Sequence, residues 1–316
     1  MNFRIGWIGT GVMGRSMCAH LLDAGYRCSV YNRTKSKAQP LLDSGAIWAD
    51  SPAELARQSD IVFFMVGYPA DVRSLAFGRA DSADSSNSAD SSNSSGVIDN
   101  LDPNGARILI DMTTSSPSLA ESMAAYGAKR GVAVLDAPVS GGDIGAQKGT
   151  LSIMVGGNES DVDKCKPLFE KIGTTIVYQG SPGSGQHTKM VNQILIAGNM
   201  VGLCEALLYA QAVGLTANSV LESVSTGAAG SWSLSNLAPR ILKGDFAPGF
   251  YIEHFIKDLG IALDEASQRN LALPGLALAK QLYLSAKANG RGRSGTQALI
   301  LTLRQMAGLE RTENAD

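Results

Sequence analysis

The stretch Arg4-Ile5-Gly6-Trp7-Ile8-Gly9-Thr10-Gly11-Val12-Met13-Gly14 decides the reading of this 316-residue chain. Strand-forming residues from Arg4 to Ile8 run directly into a glycine turn, GTGVMG at 9–14, and a helical pattern follows over 12–24. Strand, glycine turn and helix in that order make the arrangement that holds a dinucleotide pyrophosphate. Gly9 allows the tight turn, Gly11 lets a phosphate approach the backbone, and Gly14 lets the helix sit close on the strand. Thr10, Val12 and Met13 complete the turn, and the free N–H groups at the helix start face the phosphates. With 35 glycines in the chain, the spacing alone says little. Its place directly after the first strand separates a binding turn from a merely structural one.

Working outward, strand and helix signals alternate. Strands are predicted at 4–9, 28–32, 61–66 (IVFFMV), 107–112 (RILIDM), 133–139, 151–156 and 175–179. Near-continuous apolar runs of this length suit a parallel sheet covered on both faces. Helices are predicted to begin near Val12, Thr34, Pro52 and Pro69. GSPGSG at 180–185 marks a boundary, and every later segment reads as helical: 186–213, 217–225, 233–242, 251–270, 275–289 and 294–308. The expected fold is an α/β Rossmann-type doubly wound sheet followed by an all-α domain, joined by a long interdomain helix. The expected domains are 1–180, a dinucleotide-binding domain, and 181–316, a helical substrate and dimerisation domain. SADSSN at 82–87 repeats at 88–93, and 81–96 holds no large apolar side chain, which predicts a flexible surface loop.

Composition narrows the class of function. The chain is 44% hydrophobic and 18% charged, with a net charge of −2 and no basic tract, which argues against nucleic acid or an anionic membrane as partner. Cys18, Cys28, Cys165 and Cys204 are scattered and read as reduced core residues of a cytoplasmic protein. His20, His187 and His254 form no ligand cluster, so no metal site is expected. The first strand starts too early to leave room for a signal peptide. The uncharged run 190–204 reads as too short and too polar for a membrane span; a helix buried between domains or subunits, in a homodimer or homotetramer, explains it better.

Several residues could carry chemistry. Lys189 sits among apolar neighbours early in the long predicted helix, with Asn192 and Gln193 on its face. A lone helical lysine is either a solvated charge or, when buried, an amine whose lowered pKa suits proton transfer. Asn192 could hold a substrate hydroxyl or carbonyl beside it. Ser140, Gly141 and Gly142 follow a strand and read either as an ordinary turn or as backbone donors for a carboxylate. DMTTS at 111–115 follows a strand at the edge where open α/β sheets bind ligands. At the end of the second strand, Asn32-Arg33-Thr34 replaces the acid that would select NAD; arginine there favours the 2′-phosphate of NADP(H), with NAD(H) the lesser option.

With GTGVMG at 9–14, DAPVSGG at 136–142, GSGQHTKMVNQ at 183–193 and KDL at 257–259 in this order, the chain resembles the β-hydroxyacid dehydrogenase family. That family includes 3-hydroxyisobutyrate dehydrogenase, tartronate semialdehyde reductase and glyoxylate/succinic semialdehyde reductases. The resemblance implies that Lys189 is the catalytic acid/base, that Ser140, Gly141 and Gly142 grip a substrate carboxylate, and that Asn192 orients the reacting oxygen. It also implies that Met65, Val66, Thr114 and Lys257 reach the cofactor; apart from it, Lys257-Asp258 reads as an exposed helical pair. The serine-rich insertion and the segment GRGRSGTQAL at 290–299 depart from the family pattern, which weakens any transfer of substrate identity.

The reading is therefore an NADP(H)-dependent oxidoreductase acting on a small carboxylate-bearing hydroxy acid or semialdehyde. A non-catalytic dinucleotide-binding module and an imine reductase on the same scaffold are the rivals. Lys189 weighs against both.

Overall fold

The computed structural model describes residues 3–78 and 95–309, so the repeated serine-rich segment falls outside the described residues except for its last two positions. The chain divides into two compact units, Met1–Lys189 and Met190–Asp316.

Among the described residues of the first unit, nine strands form one sheet. They are β1 (Arg4–Ile8), β2 (Arg27–Tyr31), β3 (Ile47–Trp48), β4 (Ile61–Phe64), β5 (Ile108–Asp111), β6 (Ala133–Asp136), β7 (Val139–Ser140), β8 (Leu151–Gly156) and β9 (Gly173–Gly180). The order is β3-β2-β1-β4-β5-β6-β8-β7, with β9 on β8. The pairings from β3 through β6 are all parallel. The chain leaves β1 toward β2 and β3 and returns on the opposite side through β4. The strand order thus reverses between β1 and β4, and ligands bind outside the carboxyl ends of such strands. β1, β4 and β5 are buried almost throughout, which accounts for their unbroken apolar sequences. One core packs Trp7, Met17, Phe63, Ile110 and Phe169 on one face, and a second packs Ile8, Leu55, Phe64, Leu109 and Met123 on the other. All four cysteines are free and buried.

Some expectations shift. The run 133–139 is two strands, because Pro138 has no N–H to donate and the chain turns there; β7 then pairs antiparallel with β8. Helices Pro117–Ala128, Gly142–Lys148 and Glu159–Ile172 were not foreseen. The first is rich in alanine and serine, so its apolar period is weak, and Ser116 caps it by accepting from Leu119 N.

The helix Ser184–Ala212 begins in the first unit and continues in the second. It runs 29 residues, longer than the uncharged run 190–204, and is long and apolar enough to cross a membrane by length and composition alone, a test that the buried core helix of a folded domain also passes. The second unit is helical, with helices Ala217–Val224, Trp232–Asn236, Ala238–Leu242, Ile252–Gln268, Pro274–Ala286 and Leu299–Met306. The span predicted at 233–242 divides at Leu237, where Pro239 opens a new helix. Met200, Phe255, Leu259, Tyr283 and Leu299 centre its core.

Candidate active site

The glycine turn follows β1 at the strand-order reversal. Gly9 has φ +99°, and a Cβ there would overlap the carbonyl of Met65 at the end of β4. A Cβ on Gly14 would overlap Gly9 O, which is the close helix-to-strand approach the sequence anticipates. A Cβ on Gly11 would meet no heavy atom within 4 Å. Thr10 is buried, and its Oγ1 has no hydrogen-bond partner among the described residues. An open approach to the backbone beside a buried, unsatisfied hydroxyl fits a group that brings hydrogen-bonding oxygens, as a pyrophosphate does. Val12 is exposed and Met13 half-buried on the same turn.

Neighbouring strand ends close around this turn. Gly9 N donates to Tyr31 O at 3.0 Å, and Thr10 N donates to Asn32 Oδ1 at 3.1 Å. Asn32 Nδ2 donates to Thr34 O at 2.9 Å, so its side chain braces the loop after β2. The Arg33 side chain is 82% exposed and pairs with Asp71 at 3.3 Å. Met65 N donates to Ile8 O, and Val66 N donates to Thr113 Oγ1 at 3.0 Å. Thr114 follows on the same loop, half-buried.

A second set of contacts ties the long helix to the ends of β5 and β6. Asp136 Oδ1 accepts from Gly183 N and its Oδ2 from Gln186 N, both at 2.8 Å. Burial pushes this carboxyl above the usual carboxylate range, and the backbone donors oppose the shift without cancelling it. Gln186 is fully buried; its Oε1 accepts from Ser115 N at 3.0 Å and its Nε2 donates to Thr113 O at 2.7 Å. Lys189 is 7% exposed, and its Nζ donates to Val139 O at 2.7 Å. Val139 immediately precedes Ser140, Gly141 and Gly142, where Gly141 has φ +134° and Gly142 φ +64°. Lys189 is therefore buried beside the backbone turn and is not a solvated surface charge.

In the second unit, Asn192 Nδ2 donates to Gln193 Oε1 at 2.7 Å, and the buried Gln193 Nε2 donates to Asp258 Oδ2 at 2.5 Å. Lys257 Nζ pairs with Asp258 Oδ1 at 3.0 Å, with side chains 11% and 1% exposed. The reading of an exposed helical pair is corrected: this ion pair is buried. Burial first, then the charge of Lys257, holds the His254 imidazole below its ordinary pKa.

Sequence reasoning brought the glycine turn, Asn32, Lys189 and the Ser140 turn to notice. It passed over Gln186, noted Gln193 only as a neighbour of Lys189, and read Asp258 as part of an exposed pair. The available signal for Gln186 was an uncharged polar residue one turn before Lys189 on the same helix face.

Residues 4–180 match the family model described as the NAD binding domain of 6-phosphogluconate dehydrogenase. Residues 183–303 match the model described as NAD-binding of NADP-dependent 3-hydroxyisobutyrate dehydrogenase. The chain belongs to the β-hydroxyacid dehydrogenase family. It is 52% identical to a probable 3-hydroxyisobutyrate dehydrogenase-like protein of Arabidopsis thaliana, over 96% of this chain and 86% of that one. It is 36% identical to the 2-hydroxy-3-oxopropionate reductase of Escherichia coli, over 96% and 98%. Among solved structures it resembles the 3-hydroxyisobutyrate dehydrogenase of Mycobacterium tuberculosis with L-serine, at TM-score 0.83 and 28% identity over 96% and 100%. The chain is a nicotinamide-dependent oxidoreductase of this family, and the glycine turn after β1 is the part of it that fits the cofactor's pyrophosphate.

Proposed function

We propose that this chain transfers hydride between NADP(H) and a small 3-hydroxy acid or its semialdehyde, with Lys189 as acid/base. The observation that carries the reading is a buried Lys189 whose Nζ rests on the carbonyl of Val139, next to Ser140. When bound, the nicotinamide supplies or takes up the hydride. Ser140 and the backbone N–H groups of Gly141 and Gly142 bind the substrate carboxylate. Asn192, three residues beyond Lys189 on the same helix, orients the reacting oxygen. In reduction Lys189, as ammonium, hydrogen-bonds the aldehyde oxygen and gives it a proton; in oxidation the neutral amine takes the hydroxyl proton. Thr114, Met65 and Val66 line the cofactor's path in this reading, and Lys257 is assigned to the cofactor by the family resemblance.

The compounds named with the relatives support the substrate class. 3-Hydroxyisobutyrate, 2-hydroxy-3-oxopropionate and L-serine share a three-carbon frame, with a carboxylate at one end and oxygen on the third carbon. A carboxylate grip and one acid/base suffice for that frame, and the substituent on the middle carbon sets the individual substrate. The preference for NADP(H) is supported by Arg33 and by the absence of an acid at Asn32. A homodimer or homotetramer is supported by Val191, Leu195 and Tyr209, apolar residues of the long helix that are 57%, 63% and 69% exposed. Four free buried cysteines support a reducing compartment such as the cytoplasm.

The test is a panel of C2–C5 semialdehydes and glyoxylate, with NADPH and NADH oxidation followed by absorbance. Turnover of at least one aldehyde, with kcat/KM higher for NADPH, is expected. Silence across the panel with cofactor bound would overturn the catalytic reading. Sedimentation showing a monomer at micromolar concentration would overturn the oligomer.

A further inference from the structure

We propose that Gln186 is a positioning residue that locks the Thr114 loop and the start of the Lys189 helix into one register; the proposal rests on the acid/base reading of Lys189. The side-chain amide of Gln186 brackets Thr114, accepting from Ser115 N on one side and donating to Thr113 O on the other. Its main chain is tied separately, with Gln186 N donating to Asp136 Oδ2. Thr113 is held from two further directions: its N donates to Asp111 Oδ1 at 3.0 Å, and its Oγ1 accepts from Val66 N. One buried amide therefore joins the loops after β4 and β5 to the helix, three residues before Lys189 on the same face.

The chemistry requires a group that donates and accepts at the same end. Thr113 and Ser115 are each 1% exposed, so their backbone groups have no access to water as a substitute partner. An apolar side chain of the same length would leave a buried N–H and a buried C=O unpaired. The loop would relax, and Thr114 would move relative to Lys189 Nζ, whose own contact lies on a different strand end, at Val139 O. A misplacement of about 1 Å between reacting groups costs up to roughly a hundredfold in rate.

Gln186→Glu separates positioning from simple bulk. A protonated glutamic acid reproduces the pattern, with O–H donating to Thr113 O and C=O accepting from Ser115 N. The carboxylate instead sets an acceptor against Thr113 O. The charged groups around it are Asp111 at the end of β5, Asp136 on β6, Lys189 on its own helix and Glu121, which lies against Gly183. Burial and the three acids raise the pKa of the introduced acid, and Lys189 opposes them.

The experiment uses the full-length protein with NADPH, and 2-hydroxy-3-oxopropionate and methylmalonate semialdehyde as the probe aldehydes. Gln186→Leu is expected to lower kcat at saturating NADPH about tenfold to a hundredfold. Gln186→Glu is expected to approach wild-type kcat at acid pH and to lose it on a descending limb at lower pH than the one the wild type shows as Lys189 gives up its proton. Hydrogen exchange at the Ser115 amide should rise in Gln186→Leu while the β5 amides keep their protection. Wild-type kcat, an unshifted pH profile and unchanged Ser115 exchange would overturn the proposal, as would losses of kcat that merely follow Tm. Should Gln186→Leu fail to fold, the pH profile of Gln186→Glu decides alone. Lys189→Met run in parallel keeps the two readings apart. Retained turnover there sinks the acid/base assignment, whereas a dead Lys189→Met beside wild-type-like Gln186 variants sinks only the positioning role. If neither aldehyde is turned over, Ser115 exchange decides: faster exchange with intact β5 supports the clamp, and unchanged exchange overturns it.

Discussion

Lys189 Nζ and the carbonyl oxygen of Val139 lie 2.7 Å apart, bringing together residues 50 positions distant in sequence. The contact sets the amine one residue from Ser140 and the two glycines with positive φ. Acid/base groups of this kind contribute about 10²–10⁴-fold, so Lys189→Ala is expected to lower kcat by about that factor with NADPH binding preserved. Steady-state kinetics beside a fluorescence titration of NADPH checks it. Lys189→Arg should not restore activity, because a guanidinium holds its proton at all working pH.

Among the described residues, Arg33 is held by a 3.3 Å contact to Asp71, and its side chain is otherwise solvent-facing. A guanidinium on a 2′-phosphate makes charge-assisted hydrogen bonds of about 1.5–3 kcal/mol. Arg33→Ala should therefore raise KM for NADPH about tenfold to a hundredfold and leave KM for NADH nearly unchanged. Equal effects on both cofactors would remove Arg33 from 2′-phosphate recognition.

Asp258 is the buried partner of Lys257 and the acceptor of Gln193. Removing one member of a buried ion pair strands the other charge, at a cost of about 3–5 kcal/mol. Asp258→Ala is expected to lose stability on that scale in urea unfolding, and Lys257→Met/Asp258→Leu to recover much of it. If the double variant is no more stable than the single one, the loss comes from packing and not from the unpaired lysine.

Arg4, at the start of β1, donates from Nη2 to Asp60 Oδ1 and Asp102 Oδ2 at 2.6 Å each. Burial raises the Asp60 pKa, but the hydrogen bonds from Arg4 outweigh it, so Asp60 lies below its ordinary value of 3.8. Hydrogen bonding from Arg4 also lowers Asp102. The folded state thus binds fewer protons than the unfolded one near these values. The stabilisation is complete above the unfolded carboxylate range and is lost as pH falls through the lowered folded values. The Tm difference between wild type and Arg4→Met should be present at neutral pH and fade as pH falls below the ordinary carboxylate range. A difference that stays constant over this range would contradict the ion-pair origin.

Much of the first unit was legible before any coordinates. The apolar runs of β1, β4 and β5 are short and rich in β-branched or aromatic residues, which favours buried strands over helix, and a glycine turn following β1 has few alternatives. Helix Pro117–Ala128 was not legible, because alanine and serine produce little hydrophobic period for a pattern to follow. Lys257-Asp258 was misjudged for a related reason: adjacent charges on a helix look alike whether they face water or one another inside the core. Gln186 carried no chemical signature of its own, since an uncharged amide becomes informative only when both of its ends are seen to be used.

The amino-acid sequence by itself determined the strand order's raw material, the dinucleotide turn and the family, because these are local: backbone conformation, spacing and apolar period are written in consecutive residues. Tertiary structure alone decided that Lys189 is buried on Val139 O, that Gln186 brackets Thr114 and that Asp258 neutralises Lys257. Those relationships join residues about 50 or more positions apart, or depend on which side of a helix meets the core. Only the packed chain removes water from them and makes each partner matter.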